Sequence, residues 1–168
     1  MKRKHTISVT LENKPGALAR IAGLFSGRAY NIESLTVGPT QDPGFSKMTI
    51  VTSGDDDVLE QIDKQLKKLI NVVQVTDLTQ QGFVARELMI IKVKAEGSNR
   101  HEIFEITNVF KANIIHIDHE VLVIEVTGRS EKLDAFIDLM KRFGIVELAR
   151  TGKVALVRSG LPTAASAD

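Results

Sequence analysis

The sequence predicts an α+β fold in which one βαββαβ unit is used twice in tandem, and three observations carry that prediction. Apolar and polar residues alternate over 6–12, the period of a half-buried strand, and 32–37 and 47–52 read as two further strands joined by a breaker-rich turn. Between and after these stretches, apolar residues recur at intervals of three and four, the period of a helix with one buried face. The same succession of elements then returns about 80 residues later, as a repeat of architecture rather than of sequence.

Taken in order, residues 6–12 put Ile7, Val9 and Leu11 on one face and Thr6, Ser8 and Thr10 on the other. Asn13-Lys14-Pro15-Gly16 is a turn: Asn tolerates unusual φ, Pro presets it, and Gly lifts the steric restriction. Leu18, Ile21, Ala22 and Phe25 mark the buried face of the first helix. Strands are expected over 32–37 and 47–52, separated by the breaker-rich turn 38–44. Asp55-Asp56-Asp57 opens a second helix with Val58, Leu59, Ile62, Leu66 and Leu69 at helical spacing. A fourth strand over 72–78 closes the unit.

Polar Thr79-Gln80-Gln81-Gly82 is read as a linker. The second unit follows with a strand over 88–94, a helix over 100–111, strands over 113–118 and 121–126, a helix over 130–143 and a strand over 145–149. Residues 154–157 offer an additional strand. This order is the ferredoxin-like arrangement, two helices on one face of a four-stranded antiparallel sheet. The expected domains are therefore 5–79 and 84–158, followed by a mobile tail over 159–168, where no periodicity remains.

Composition excludes several classes of function. The chain has 168 residues, a formal net charge of +1 and no Cys. Residues 1–80 carry 10 basic and 9 acidic side chains and the remainder 12 of each, so neither half advertises a nucleic acid or an anionic membrane. Without Cys there is no disulfide framework, thiolate metal site or Cys nucleophile. The basic start Met1–His5 lacks the apolar segment of a signal peptide, and no apolar run approaches the ~20 residues of a membrane span. A cytoplasmic protein is expected. Aromatics make up only 5% and none lies on 6–11 or 47–51, which argues against an RNA-binding sheet of the same topology.

The first helix opens on Pro-Gly, which leaves its first backbone N–H groups and positive dipole end available to a small anion such as a carboxylate. No catalytic side chain accompanies it. The combination describes a receptor for a small acid more readily than an enzyme.

Asn13-Lys14-Pro15-Gly16-Ala17-Leu18, then Gly23-Leu24-Phe25-Ser26 and Asn31-Ile32-Glu33-Ser34-Leu35-Thr36-Val37, resemble an ACT domain, and more narrowly the regulatory (small) subunits of acetolactate synthase. The second half agrees through Arg86-Glu87-Leu88, Thr127-Gly128 before Lys132-Leu133-Asp134-Ala135-Phe136, and Glu147-Leu148-Ala149-Arg150-Thr151-Gly152. The resemblance spans residues 5–158. It implies an N-terminal ACT domain and a C-terminal ACT-like domain in a non-catalytic subunit of branched-chain amino acid biosynthesis. Such a subunit activates a catalytic large subunit and confers feedback inhibition by valine, with leucine and isoleucine as close alternatives.

It also implies a homodimer with the effector between two ACT domains. One wall is then Asn13, Gly16, Ala17 and Leu18, and the other is Asn31 and Ile32 of the mate. No cofactor is expected on this chain; thiamine diphosphate, Mg and FAD are expected on the catalytic partner. The family pattern has Gly at the position of Ala29, so the first helix is expected either to end later, at Tyr30 or Asn31, or to shift.

Other candidates have simpler explanations. Asp55–Asp57 fits capping and the helix dipole better than a metal site. His116 and His119 are three apart on an expected strand and so point to opposite faces, which disfavours joint ligation. Arg20 and Arg28 read as a solvated helix face, and Leu24 and Phe25 as core. The alternative function is a stand-alone ACT-type amino-acid sensor controlling transcription, but every segment is already assigned to the two repeats and no DNA-reading element remains.

Overall fold

Strand alternation and helix periodicity become two units in the computed structural model, which describes residues 3–158. One comprises residues 3–85 with 153–158, and the other residues 86–152. The first unit runs β1 (Arg3–Glu12), α1 (Ala17–Ser26), β2 (Ile32–Pro39), β3 (Phe45–Gly54), α2 (Asp56–Leu66) and β4 (Val72–Asp77). Its antiparallel sheet has the order β2-β3-β1-β4. Ile7, Val9 and Leu11 of β1 are buried with Met48 and Ile50 of β3 against Ile21 and Phe25 of α1 and Ile62 and Leu66 of α2. Removing these side chains from water supplies the main stabilisation, about 1.5–3 kcal/mol for each one fully buried. Asp55 caps α2 by accepting from the Val58 N–H at 2.9 Å.

The phase of α1 differs from expectation. Ala17, Ile21, Leu24 and Phe25 are its buried residues, while Leu18 and Ala22 are exposed. Both sets obey helical spacing, so the periodicity alone left the rotation open by one residue. The end of α1 differs as well. Ala29 itself takes the left-handed conformation, φ 55°, with Ala29 N–H donating to the Ser26 carbonyl at 3.1 Å and Tyr30 N–H to that of Phe25 at 3.0 Å. That pair of bonds closes the helix as a Schellman motif, normally built on Gly. Lys111, φ 51°, closes the third helix in the same way, through Ala112 N–H to the Thr107 carbonyl. A left-handed L-residue costs about 1–2 kcal/mol. Ala29→Gly is therefore expected to stabilise the protein by about 1 kcal/mol, read as a higher midpoint of urea unfolding; an unchanged or lower midpoint would contradict it.

The second unit runs β5 (Phe83–Lys94), α3 (Asn99–Val109), β6 (Asn113–Ile117), β7 (Val121–Gly128), α4 (Ser130–Met140) with a 3-10 turn over Lys141–Phe143, and β8 (Ile145–Arg150). Its strand order is β6-β7-β5-β8. Met89, Ile91 and Val93 of β5 meet Leu122, Ile124 and Val126 of β7, under Ile103 of α3 and Leu133, Phe136 and Met140 of α4. Strand β5 starts five residues before the expected position. The first three of those residues belong to the first unit, so the polar linker shortens to a turn.

The additional strand β9 (Val154–Val157) groups with the first unit. It pairs with β5, and Arg158 N–H donates to the Gly82 carbonyl at 2.8 Å. On the other side Ala155 N–H donates to Thr49 Oγ1 at 3.3 Å. Thr49 is buried, as are Thr6 and Ser8 on the same sheet face, the one turned away from the helices. The expected tail over 159–168 lies outside the described residues.

Candidate functional site

The turn between β1 and α1 is shaped by Gly16, whose φ of 82° and ψ of −8° lie in the left-handed region. That conformation sets the direction in which α1 leaves the strand. The helix has no side-chain cap and no acidic residue in its first turn. Its positive end is therefore not neutralised by its own sequence. Of the three amides expected to meet an anion, Ala17 N–H is engaged, donating to the Lys14 carbonyl at 3.2 Å. Those of Gly16 and Leu18 have no acceptor among the described residues, and the next helical bond, Arg20 N–H to the Gly16 carbonyl, forms at 3.0 Å. A Cβ at Gly16 would meet nothing within 4 Å, so the approach is open.

Charged neighbours of the turn are already occupied. Lys14 Nζ lies 3.0 Å from Glu12 Oε2. That hydrogen bond, with a second from Asn71, holds the Glu12 carboxyl below the usual carboxylate range. Arg20 donates to the Asn71 side-chain oxygen. An anion at this turn would be held by backbone amides and the dipole, not by a free side-chain cation. Asn13 is anchored through its N–H to the Gly44 carbonyl at 2.8 Å and its Nδ2 to the Pro43 carbonyl at 3.1 Å. This assignment leaves its Oδ1 as an acceptor without a partner.

The expected residues split into two groups. Asn13, Gly16, Ala17 and Leu18 cluster at the start of α1; Asn31 and Ile32 lie beyond its end, where the chain enters β2. The helical residues 19–26 separate the groups, about 12 Å of rise. Asn31 is exposed and its carbonyl accepts from Thr52 Oγ1 at 2.6 Å, which fixes the backbone but leaves the side chain outward. Ala17 is buried in the core and Ile32 is half-buried against it. Leu18, 44% exposed, supplies apolar surface beside the open amides. The sequence reading did not foresee the support given to this turn by Asn71, which bonds Glu12 and receives Arg20 from the start of β4. Nothing local to the turn signals it.

The other candidates have ordinary partners. Asp55 is the α2 cap, and Arg28 donates to Gln65 at 3.1 Å. His116 lies on β6, whereas His119 follows it in the turn before β7, where its carbonyl accepts from Arg100. Among the described residues no three His, Asp or Glu side chains are grouped to hold a metal ion, and no helix is long and apolar enough to cross a membrane.

In the second unit the motif residues Glu87, which is buried, and Arg150, which is exposed, form an ion pair. Arg150 Nε donates to Glu87 Oε2, its Nη1 donates to Asp134 Oδ1 at 2.7 Å, and Ser130 Oγ donates to Glu87 Oε1. Glu87 is 5% exposed. The cluster is a structural brace joining β5, α4 and β8.

Comparison with known proteins places both units. Residues 7–74 match the family described as the AHAS small subunit-like ACT domain, and residues 86–159 match that described as the small subunit of acetolactate synthase. A probable acetolactate synthase small subunit of Archaeoglobus fulgidus is 56% identical over 155 residues, covering 92% of this chain and 97% of that protein. The acetolactate synthase isozyme 3 small subunit of Salmonella typhimurium is 49% identical over 156 residues, covering 92% and 96%. A crystal structure of the acetolactate synthase small subunit from Thermotoga maritima superposes with a TM-score of 0.87 at 41% identity, covering 95% of this chain and 99% of that one.

Proposed function

The chain belongs to the acetolactate synthase small-subunit family, and from that premise we propose that it activates a catalytic large subunit and makes it sensitive to a branched-chain amino acid, valine in the first instance. The large subunit would carry the thiamine diphosphate, Mg and FAD. The observation that carries the effector reading is the separation of the two walls. Asn13, Gly16 and Leu18 sit at one end of α1 and Asn31 at the other, too far apart for one small molecule to touch both within one copy. A homodimer in which the start of α1 faces the end of α1 in the mate brings them together twice, by symmetry. The edge position of β2 in its sheet is compatible with such pairing.

In that arrangement the open amides of Gly16 and Leu18 receive the effector carboxylate, the free oxygen of Asn13 or Asn31 accepts from its ammonium, and Leu18 contacts the aliphatic side chain. One methylene in such a contact is worth only about 1–3 kcal/mol, so leucine and isoleucine are expected to compete with valine. Binding stiffens the seam between two copies. If the large subunit prefers the unliganded seam, linkage of about 1–3 kcal/mol gives a several-fold to hundredfold change in response.

The test is reconstitution: purify the chain with its large subunit and titrate valine, leucine and isoleucine against acetolactate formation. Activation by the chain and inhibition by at least one of the three support the reading; a large subunit indifferent to the chain refutes it. Asn31→His is expected to weaken valine binding by calorimetry on the chain alone. An unchanged affinity would count against the wall assigned to Asn31.

A further inference from the structure

The face of the first sheet turned away from its helices carries a lysine with no acid beside it. Ile7, Val9 and Leu11 of β1 and Met48 and Ile50 of β3 point into the core, so the residues alternating with them point the other way. Thr10 and Lys47 stand directly opposite each other on that outer face, and Gly38 of β2 stands opposite Lys47 on its other side. Lys47 Nζ donates to Thr10 Oγ1 at 3.0 Å. Among the described residues no carboxylate lies within ion-pair distance of it, whereas Lys14, Lys64, Lys67, Lys92 and Lys141 each have one.

Lys47 is half-buried, and burial alone pushes its ammonium below the ordinary lysine range. An ammonium has three N–H donors, and the Thr10 hydroxyl takes up one of them. As the acceptor in that bond, Thr10 keeps its own O–H to donate. A Cβ at Gly38 would meet nothing within 4 Å, so the position beside Lys47 on this face is unfilled. Ser8 Oγ, two residues from Thr10 on the same face, is buried and has no partner among the described residues. Polar groups here are under-bonded in the chain by itself.

A half-desolvated cation with donors to spare selects an anion, and an N–H beside an O–H suits the two oxygens of a carboxylate. A free small acid would lose its translational freedom for one cation and one hydroxyl, which makes it a weak occupant. A carboxylate carried by a docked protein loses little further freedom, and docking completes the desolvation that strengthens the pair. We propose that Lys47 and Thr10 receive an aspartate or glutamate side chain of the catalytic large subunit, in the space beside Gly38. The proposal rests on the large-subunit partnership stated above and gives the first unit a contact of its own with that partner.

The experiment uses the full chain and its large subunit. Lys47→Met keeps the apolar stem, removes the charge, and is expected to associate at least about tenfold more weakly. The same variant alone is expected to unfold in urea at the parent's midpoint or above it, because a desolvated charge has been removed. Lys68→Met, the same change at an exposed lysine of this unit, is expected to associate as the parent does. Association of Lys47→Met within about twofold of the parent overturns the site, as does an equal loss in Lys68→Met. A lower unfolding midpoint overturns it too, since the lysine would then serve the fold. Sodium acetate is expected to shift the thermal midpoints of the parent and Lys47→Met chains alike; stabilisation of the parent only would assign the site to free acids and overturn the large-subunit source. A parent chain that does not bind the large subunit overturns the partnership and this site with it.

Discussion

Gly16→Asp is expected to abolish inhibition by valine while leaving activation of the large subunit intact. A Cβ at this position meets nothing within 4 Å, so the substitution has room. Its left-handed φ of 82° strains any side chain, but Asp and Asn tolerate that region best among residues other than Gly. The dominant effect is electrostatic. A carboxylate on residue 16 stands where the effector's own carboxylate would meet the amides of Gly16 and Leu18, and it neutralises the dipole end itself. Loss of about 1.4 kcal/mol or more, tenfold in affinity, is the expected minimum. Gly16→Asn supplies the control, with the same backbone strain and similar volume but no charge. Valine inhibition curves for the two reconstituted variants separate the causes: Asp much less sensitive than Asn supports the anion site. Equal curves would mean that only backbone strain had been tested and that the amides hold no carboxylate.

Arg150→Ala is expected to destabilise the protein by about 2–4 kcal/mol in urea unfolding. Arg150 spans Glu87 and Asp134, and Glu87 is almost fully buried. Removing the guanidinium strands that carboxylate with Ser130 Oγ as its remaining side-chain donor. The cost then arises from an uncompensated charge rather than from the lost contact. Glu87→Gln in the Arg150→Ala background removes the charge and is expected to recover part of the loss. A single-variant loss below about 0.5 kcal/mol, or a double variant less stable than Arg150→Ala, would show that the brace does not bear on stability.

The elements legible in the sequence are those whose cause is local. Alternation placed β1, short runs bounded by turn residues placed the other strands, and Asp55 at a helix start announced its own cap. What stayed hidden depends on distant partners or on backbone geometry. Residues 17, 21, 24 and 25 share a helical face, but so do 18, 21, 22 and 25, and the turn conformation at Gly16 decides between them. Glu87 interrupts an apolar strand pattern and delayed the expected start of β5, because its partner Arg150 lies 63 residues away. At the turn before α1 the break between strand and helix was readable from Asn13–Gly16. The engagement of the Ala17 amide by Lys14 was not, nor was the bracing by Asn71.

Strand β9 has a consequence for how the chain is made. The second unit is contiguous in sequence, and its strands β6, β7 and β8 have all been made once Arg150 has been added. The first unit, although begun earlier, includes residues 153–158, and Thr49 Oγ1 gains its bond from Ala155 N–H only when β9 has been made. Usual vectorial order, with the amino-terminal half finishing first, is thereby reversed. A chain ending at residue 152 would contain all of the second unit and a first unit lacking its closing segment, residues 153–158.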